Sequence, residues 1–310
     1  PTAWVEKIFL RVLGPGTPVI NYERLTLDPF AKRRLTEAYG KTGRIIIVAG
    51  PTGSGKRTTQ NAILKVLNDS KKNILTAEWP VEYSIPGVNQ VDCKFEIGYS
   101  DAVAMTAFLE QKPDVIKAKP EDPEISKLAF AAASKSALVL CSIHSNSAAS
   151  TISRLKNMRV SVFDLATYVL LVQAQRLVRR LCPDCKEEFS PSAALLRYLR
   201  IDELFIERLE LAPVSPEAIT FFKQRGCEKC SGSGFVGHVV ICESLKVTPK
   251  IQEIILHKSS DKEIEKAALE DGMLTLRDTG LRQVILGNAS LEEIIFKTKR
   301  NEQTFPLQTN

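Results

Sequence analysis

Gly50-Pro51-Thr52-Gly53-Ser54-Gly55-Lys56 is the stretch of this chain with residue types and spacing suited to holding phosphate. It fits G-x-x-x-x-G-K, follows the apolar run at 45–49 and precedes a helical stretch at about 58–67. Glycines let such a loop curl so that backbone N–H groups point inward at phosphate oxygens. A helix N-terminus adds positive potential, and Lys56 would reach the outer phosphates. A glycine-rich turn with a surface lysine would spell the same letters, but both flanks favour nucleotide. Arg57 stands where a Ser or Thr normally gives Mg²⁺ its hydroxyl ligand. It either places a cation near the phosphates or points to solvent. Thr58 is the next hydroxyl, roughly 100° further round the helix, and should not substitute without a register change.

A second constellation is Cys182-Pro183-Asp184-Cys185 with Cys227-Glu228-Lys229-Cys230. Two C-x-x-C knuckles supply four thiolates, enough to close one tetrahedral zinc site and staple a module that lacks its own core. The gap between them exceeds the about 15–20 residues of a zinc ribbon, so it must hold an excursion. Two redox motifs or four buried thiols are the alternatives; neither pair heads a thioredoxin-like helix. Cys93, Cys141 and Cys242 read as small core residues.

The elements that position these groups are legible in outline. Apolar runs at 44–49, 73–77, 114–118 and 137–142 alternate with helical stretches, as expected for an α/β sheet buried on both faces. Before them, a strand over 8–12, a turn at Gly14-Pro15-Gly16 and a helix over 29–39 look like the end of a preceding domain. Residues 165–181 read as a helix whose basic end, Arg176, Arg179 and Arg180, suits the negative end of its dipole. Residues 182–242 read as irregular apart from helical character at 192–211. The chain turns helical again after Pro249, and Ser290-Leu291-Glu292-Glu293 spells a capping box. The expected division is therefore 1–36, the end of an N-terminal α/β domain; 37–181, a nucleotide-binding core; 182–242, a tetracysteine insert; and 243–310, a helical region.

Composition excludes more than it identifies. The 310 residues carry a net charge of +6 with 44% hydrophobic content, so neither disorder nor a fibrous repeat is indicated. No apolar stretch approaches the roughly 20 residues of a membrane helix, and no secretory signal opens the chain. Seven cysteines spread over this length argue against a disulfide scaffold. A cytosolic protein is expected. Pro1 in place of Met reads as a processing boundary or a fragment edge.

Taken in order, these motifs resemble the ATPases of type II secretion and type IV pilus assembly. The matching stretches are Gly50 to Lys56, 74–83 with Gln90, 113–116, 142–149, 174–182, and the second knuckle flanked by Gly226, Gly234 and Gly237. The four cysteines favour the assembly and secretion branch over the pilus-retraction branch. The resemblance implies a RecA-like P-loop core behind an N-terminal α/β domain. It implies ATP, Mg²⁺ and Zn²⁺ as cofactors, and a hexameric ring of this chain with itself or a paralogue. That ring would sit at the cytoplasmic face of the inner membrane, beside platform and recruitment proteins. His144, on the residues alone a satisfied core or turn histidine, becomes a γ-phosphate sensor; Glu78, otherwise a solvated strand-end acid, becomes a Mg²⁺ or water ligand. Arg11 resembles an arginine turned toward the nucleotide cleft, though a strand-edge surface position fits equally.

The chain departs from that family where hydrolysis is done. Trp79 replaces the Asp of the family's Glu-Asp-Pro, and Thr106 and Glu110 replace two arginines. Lys119-Pro120-Glu121-Asp122-Pro123 replaces Gly-Glu-Ile-Arg-Asp, so the expected acid is Pro120. Glu121 one residue on would, in a strand, face the other way. A second family histidine, near Ala137, is also missing. Phosphoryl transfer depends on a metal, a water-orienting group and charge-stabilising cations, and losing one such element costs on the order of 10²-fold or more. The expectation is an ATP-binding subunit that hydrolyses poorly. A fully active motor, a non-catalytic ring subunit and, least favoured, a nucleic-acid translocase are the alternatives. No aromatic-basic interleaving supports nucleic acid.

Overall fold

The structure is a computed structural model that describes residues 21–211, 215–257 and 260–299. The expected strand at 8–12, its turn and Arg11 lie outside the described residues. A central sheet contains β1 (Arg44–Ala49), β2 (Ile74–Glu78), β3 (Asn89–Asp92), β4 (Val115–Ala118), β5 (Leu138–Ile143), β6 (Val169–Leu181) and β9 (Phe235–Lys246). Its order is β3-β2-β4-β5-β1-β6-β9, with every neighbouring pair parallel except β6 and β9. A separate hairpin pairs β7 (Glu187–Phe189) with β8 (Phe221–Lys223).

Side chains of β1 alternate between two cores. Ile45, Ile47 and Ala49 face α3 (Asp101–Glu110), α4 (Pro123–Ser134), α5 (Ala148–Asn157) and α6 (Val162–Tyr168). Ile46 faces the other way, onto α1 (Pro29–Tyr39) and α2 (Lys56–Leu67). Both faces are therefore covered, which is why the strands read as unbroken apolar runs. Between β6 and β9 the chain forms α7 (Ala193–Leu199) and α8 (Glu203–Arg208). After β9 come α9 (Pro249–Leu256), α10 (Asp261–Glu270), α11 (Leu276–Ile285) and α12 (Leu291–Lys297).

Residues 169–181 are a strand, not the second half of a helix; only α6 is helical there. Leucine, glutamine and arginine favour helices intrinsically, but pairing with β1 on one side and β9 on the other overrides that preference. The arginines consequently mark no helix end. Arg176 donates to the Gln175 and Asn146 carbonyls at 3.0 and 2.6 Å, and Arg179 holds Glu293 within the same chain at 2.7 Å. The box at Ser290 is also only half formed. Ser290 Oγ accepts from Glu293 N at 3.4 Å, while the Glu293 carboxylate turns to Arg179. β9 enters the central sheet at Phe235, so position 242 falls within a strand.

Candidate nucleotide-binding site

The loop between β1 and α2 leaves the sheet beside β5, with Gly50 N donating to the Ile143 carbonyl at 3.1 Å. Gly50 has φ +152°, and a Cβ there would lie 2.4 Å from Ser54 Oγ and 2.6 Å from the Gln175 carbonyl. No larger residue fits. Lys56 opens α2 and donates to the Gly50 and Pro51 carbonyls, both at 2.8 Å. Burial lowers the Lys56 pKa, and the charges of Lys119 and Arg176 lower it further against the opposing pull of Glu121. An anion in the loop would thus meet several converging cations. Gln175 on β6 braces the loop from behind: its Nε2 donates to the Ser54 carbonyl at 2.8 Å, and its Oε1 accepts from Thr59 and Gln173, each at 3.2 Å.

The loop opens on a cleft of about 700 Å³. Thr52 to Thr58, Glu78, Trp79, Glu82, Lys117, Lys119, Glu121 and His144 are among its lining residues. The sequence-expected candidates Glu78 and His144 are therefore brought to the phosphate loop. His144 lies just past the end of β5 and is exposed. Thr106 and Glu110 are exposed on α3 and do not line the cleft.

Glu78 sits at the C-terminal end of β2, as the acid of such a site should. It is not free. Lys117 Nζ donates to its Oε2 at 2.7 Å, while Thr76 Oγ1 and Gln90 Nε2 donate to its Oε1 at 2.9 and 3.0 Å. Burial alone would raise the Glu78 pKa, but the Lys117 charge and these hydrogen bonds outweigh it and hold the carboxyl below its usual range. Lys117 completes its contacts with Asn61 Oδ1 at 2.8 Å. Its own pKa is pushed down by burial, against the pull of Glu78.

Arg57 neither reaches into the loop nor points freely to solvent; it pairs with the Glu82 carboxylate. Glu121 departs from expectation. β4 ends at Ala118, strand alternation no longer applies, and Glu121 lines the cleft paired with Lys119 at 3.1 Å. Thr58 is exposed, beside rather than inside the loop. Sequence reading missed Lys117, Asn61 and Gln175. A lysine inside the apolar run 114–118 was the available signal for the first.

The four cysteines converge as expected. Their sulfurs all lie within 4.8 Å of one another, with Cys182–Cys227 and Cys185–Cys230 at 3.9 Å and Cys227–Cys230 at 3.7 Å. A tetrahedral ion with bonds of about 2.3 Å would set sulfurs about 3.8 Å apart, so the cluster could hold a metal ion. N–H donors from Cys227 and Gly234, at 3.1 and 3.2 Å, stabilise a thiolate at Cys230 and bring its pKa down to about 6. Gly226 makes this knuckle possible: at φ +109°, a Cβ would strike the Gly232 carbonyl at 2.6 Å. Cys93, Cys141 and Cys242 are buried away from the cluster.

A parallel-rich sheet with a phosphate-loop motif at the end of a central strand defines a P-loop protein of the α/β class. Residues 1–296 match the family described as type II/IV secretion system protein, and the chain belongs to that family. It is 40% identical over 296 residues to the type IV pilus assembly ATPase PilB of Acinetobacter baylyi, covering 95% of this chain and 49% of that one. It is 35% identical over 300 residues to the type II secretion system protein E of Pseudomonas aeruginosa, covering 96% and 57%. The chain thus spans about half the length of these relatives. Among solved structures, the pilus retraction motor PilT with bound ADP superimposes with a TM-score of 0.67 at 20% identity, covering 94% of this chain and 70% of that one. That likeness concerns the fold.

Proposed function

We propose that this chain is the nucleotide-binding part of a secretion- or pilus-assembly ATPase whose hydrolytic step is impaired. It couples nucleotide binding to filament or pseudopilus assembly, in a hexameric ring with itself or a paralogue. It works at the cytoplasmic face of the inner membrane beside platform and recruitment proteins, consistent with the absence, among the described residues, of a helix long and apolar enough to cross a membrane. The cysteine cluster holds zinc as a structural ion, in a module carried between β6 and β9. The observation that carries this reading is a phosphate loop, closed on Lys56, that faces a cleft whose buried acid, Glu78, is already paired with Lys117. Binding and catalysis are thereby separated.

The test has two arms. The protein should bind a fluorescent ATP analogue, and Lys56→Ala should abolish that binding; absence of binding by the unaltered protein would sink the nucleotide reading. Steady-state turnover should fall on the order of 10²-fold or more below that of intact relatives. Turnover at their level would instead identify a working motor.

A further inference from the structure

Lys117 is a charged residue inside β4, flanked by the buried Ile116 and Ala118 and itself only 6% exposed. Taking an ammonium out of water is unfavourable unless it is paired. Its partner here is the acid that a divalent cation would need. Magnesium asks for about six oxygen ligands near 2.1 Å, built from carboxylates, hydroxyls and water. Each acid lining this cleft is otherwise engaged. Glu78 has both oxygens satisfied, Glu82 pairs with Arg57, and Glu121 pairs with Lys119. Asp101 accepts from Ala102 N at 3.2 Å at the start of α3. The hydroxyl position after Lys56 is Arg57. These residues do not fit magnesium.

We propose that the Lys117 ammonium stands in for the divalent cation, so that this chain binds the phosphate chain of a nucleotide with no requirement for magnesium. The proposal rests on the nucleotide reading above and says how that site manages charge. An ammonium has three donors, and Asn61 and Glu78 take two of Lys117's. Pairing neutralises Glu78, which would otherwise repel an incoming phosphate. A metal arriving with the nucleotide would have to displace Lys117 from Glu78 and then face its positive charge at close range. Metal-free nucleotide meets no such obstacle.

The experiment measures affinity for a fluorescent ATP analogue with and without millimolar Mg²⁺. Metal is removed by passing the buffer over a chelating resin, so that the thiolate cluster is not stripped by a soluble chelator. The dissociation constant of the unaltered protein should change by no more than about twofold between the two buffers. Lys117→Met, which frees Glu78, should bind about tenfold or more tightly with Mg²⁺ than without it. Weakening of the unaltered protein by about tenfold in metal-free buffer would overturn the proposal while leaving the nucleotide reading intact. Binding in neither buffer would overturn both. Should Lys117→Met fail to fold, the unaltered protein decides the matter alone, and Lys117→Arg, which keeps the cation, should stay indifferent to Mg²⁺.

Discussion

Lys117 and Glu78 are each costly alone and tolerable together, which gives the pair a recognisable signature in stability. Removing one partner of a buried ion pair typically costs about 3–5 kcal/mol, because the survivor is left charged and dry. Lys117→Met should therefore destabilise the protein by about that much at pH 7 in denaturant unfolding. The loss should depend on pH. In the unaltered protein the Glu78 pKa is held below its usual value, so its contribution is present above the unfolded carboxyl pKa of about 4.3 and lost as pH falls through the folded value. In the variant the Lys117 charge and hydrogen bond are gone, and burial raises the Glu78 pKa against only the weaker hold of the Thr76 and Gln90 hydrogen bonds. Protonation on acidification then relieves the unpaired charge. The gap between the two proteins should be smaller at pH 4 than at pH 7; a constant gap would mean that the pair is not what the substitution disturbs. Replacing both residues, as Lys117→Met with Glu78→Leu, should restore most of the stability.

At the scale of elements, β6 has a task that its composition conceals. Gln175, buried in mid-strand, carries the Ser54 carbonyl and the Thr59 hydroxyl, and so fixes the phosphate loop to the sheet as well as to its own helix. Gln175→Leu fills the same space but orphans these groups, a loss of about 1–3 kcal/mol in stability. Because the Ser54 carbonyl lies within the loop, affinity for nucleotide should also drop, by about tenfold on the same scale. Unchanged affinity in a titration would show that the loop holds its shape unaided. β1, β4 and β5 were legible because apolar runs buried on both faces leave few other readings, and the loop was legible because its glycines are dictated locally. β6 was not. Its leucines, glutamines and arginines are good helix formers, and what makes them a strand is pairing with β1 and β9, both far away along the chain. Lys117 was marked by its place inside an apolar run, but its partner was not: the counter-charge sits on a different strand, β2, and one sequence offers no local mark of that pairing.

The molecule as a whole is built around more than one core, and this alters what the cysteine cluster is for. Its sequence reads as a module needing a metal staple in place of a hydrophobic interior. Yet Leu196, Leu199, Phe205 and Ile206 of α7 and α8 share a buried cluster with Leu281, Val284, Ile294 and Ile295 of α11 and α12, and with Val178 and Ile241 of the sheet. Each helix segment of the module therefore leans on the C-terminal region, and Arg33 on α1 adds a two-bond contact to Glu210 at 2.9 and 2.6 Å. That last contact is exposed and worth little by itself. A metal bound by the cluster would then have a local duty: to hold the two knuckles where β6 ends and β9 begins. Metal analysis should return about one zinc per chain, and Cys182→Ser or exhaustive chelation should remove it. Loss should not unfold the chain. Amide exchange should quicken at residues 182–190 and 224–235, while the amides of α7 and α8 and the phosphate loop's own backbone keep their protection. Global loss of protection would mean that zinc, not the shared core, holds the module to the sheet.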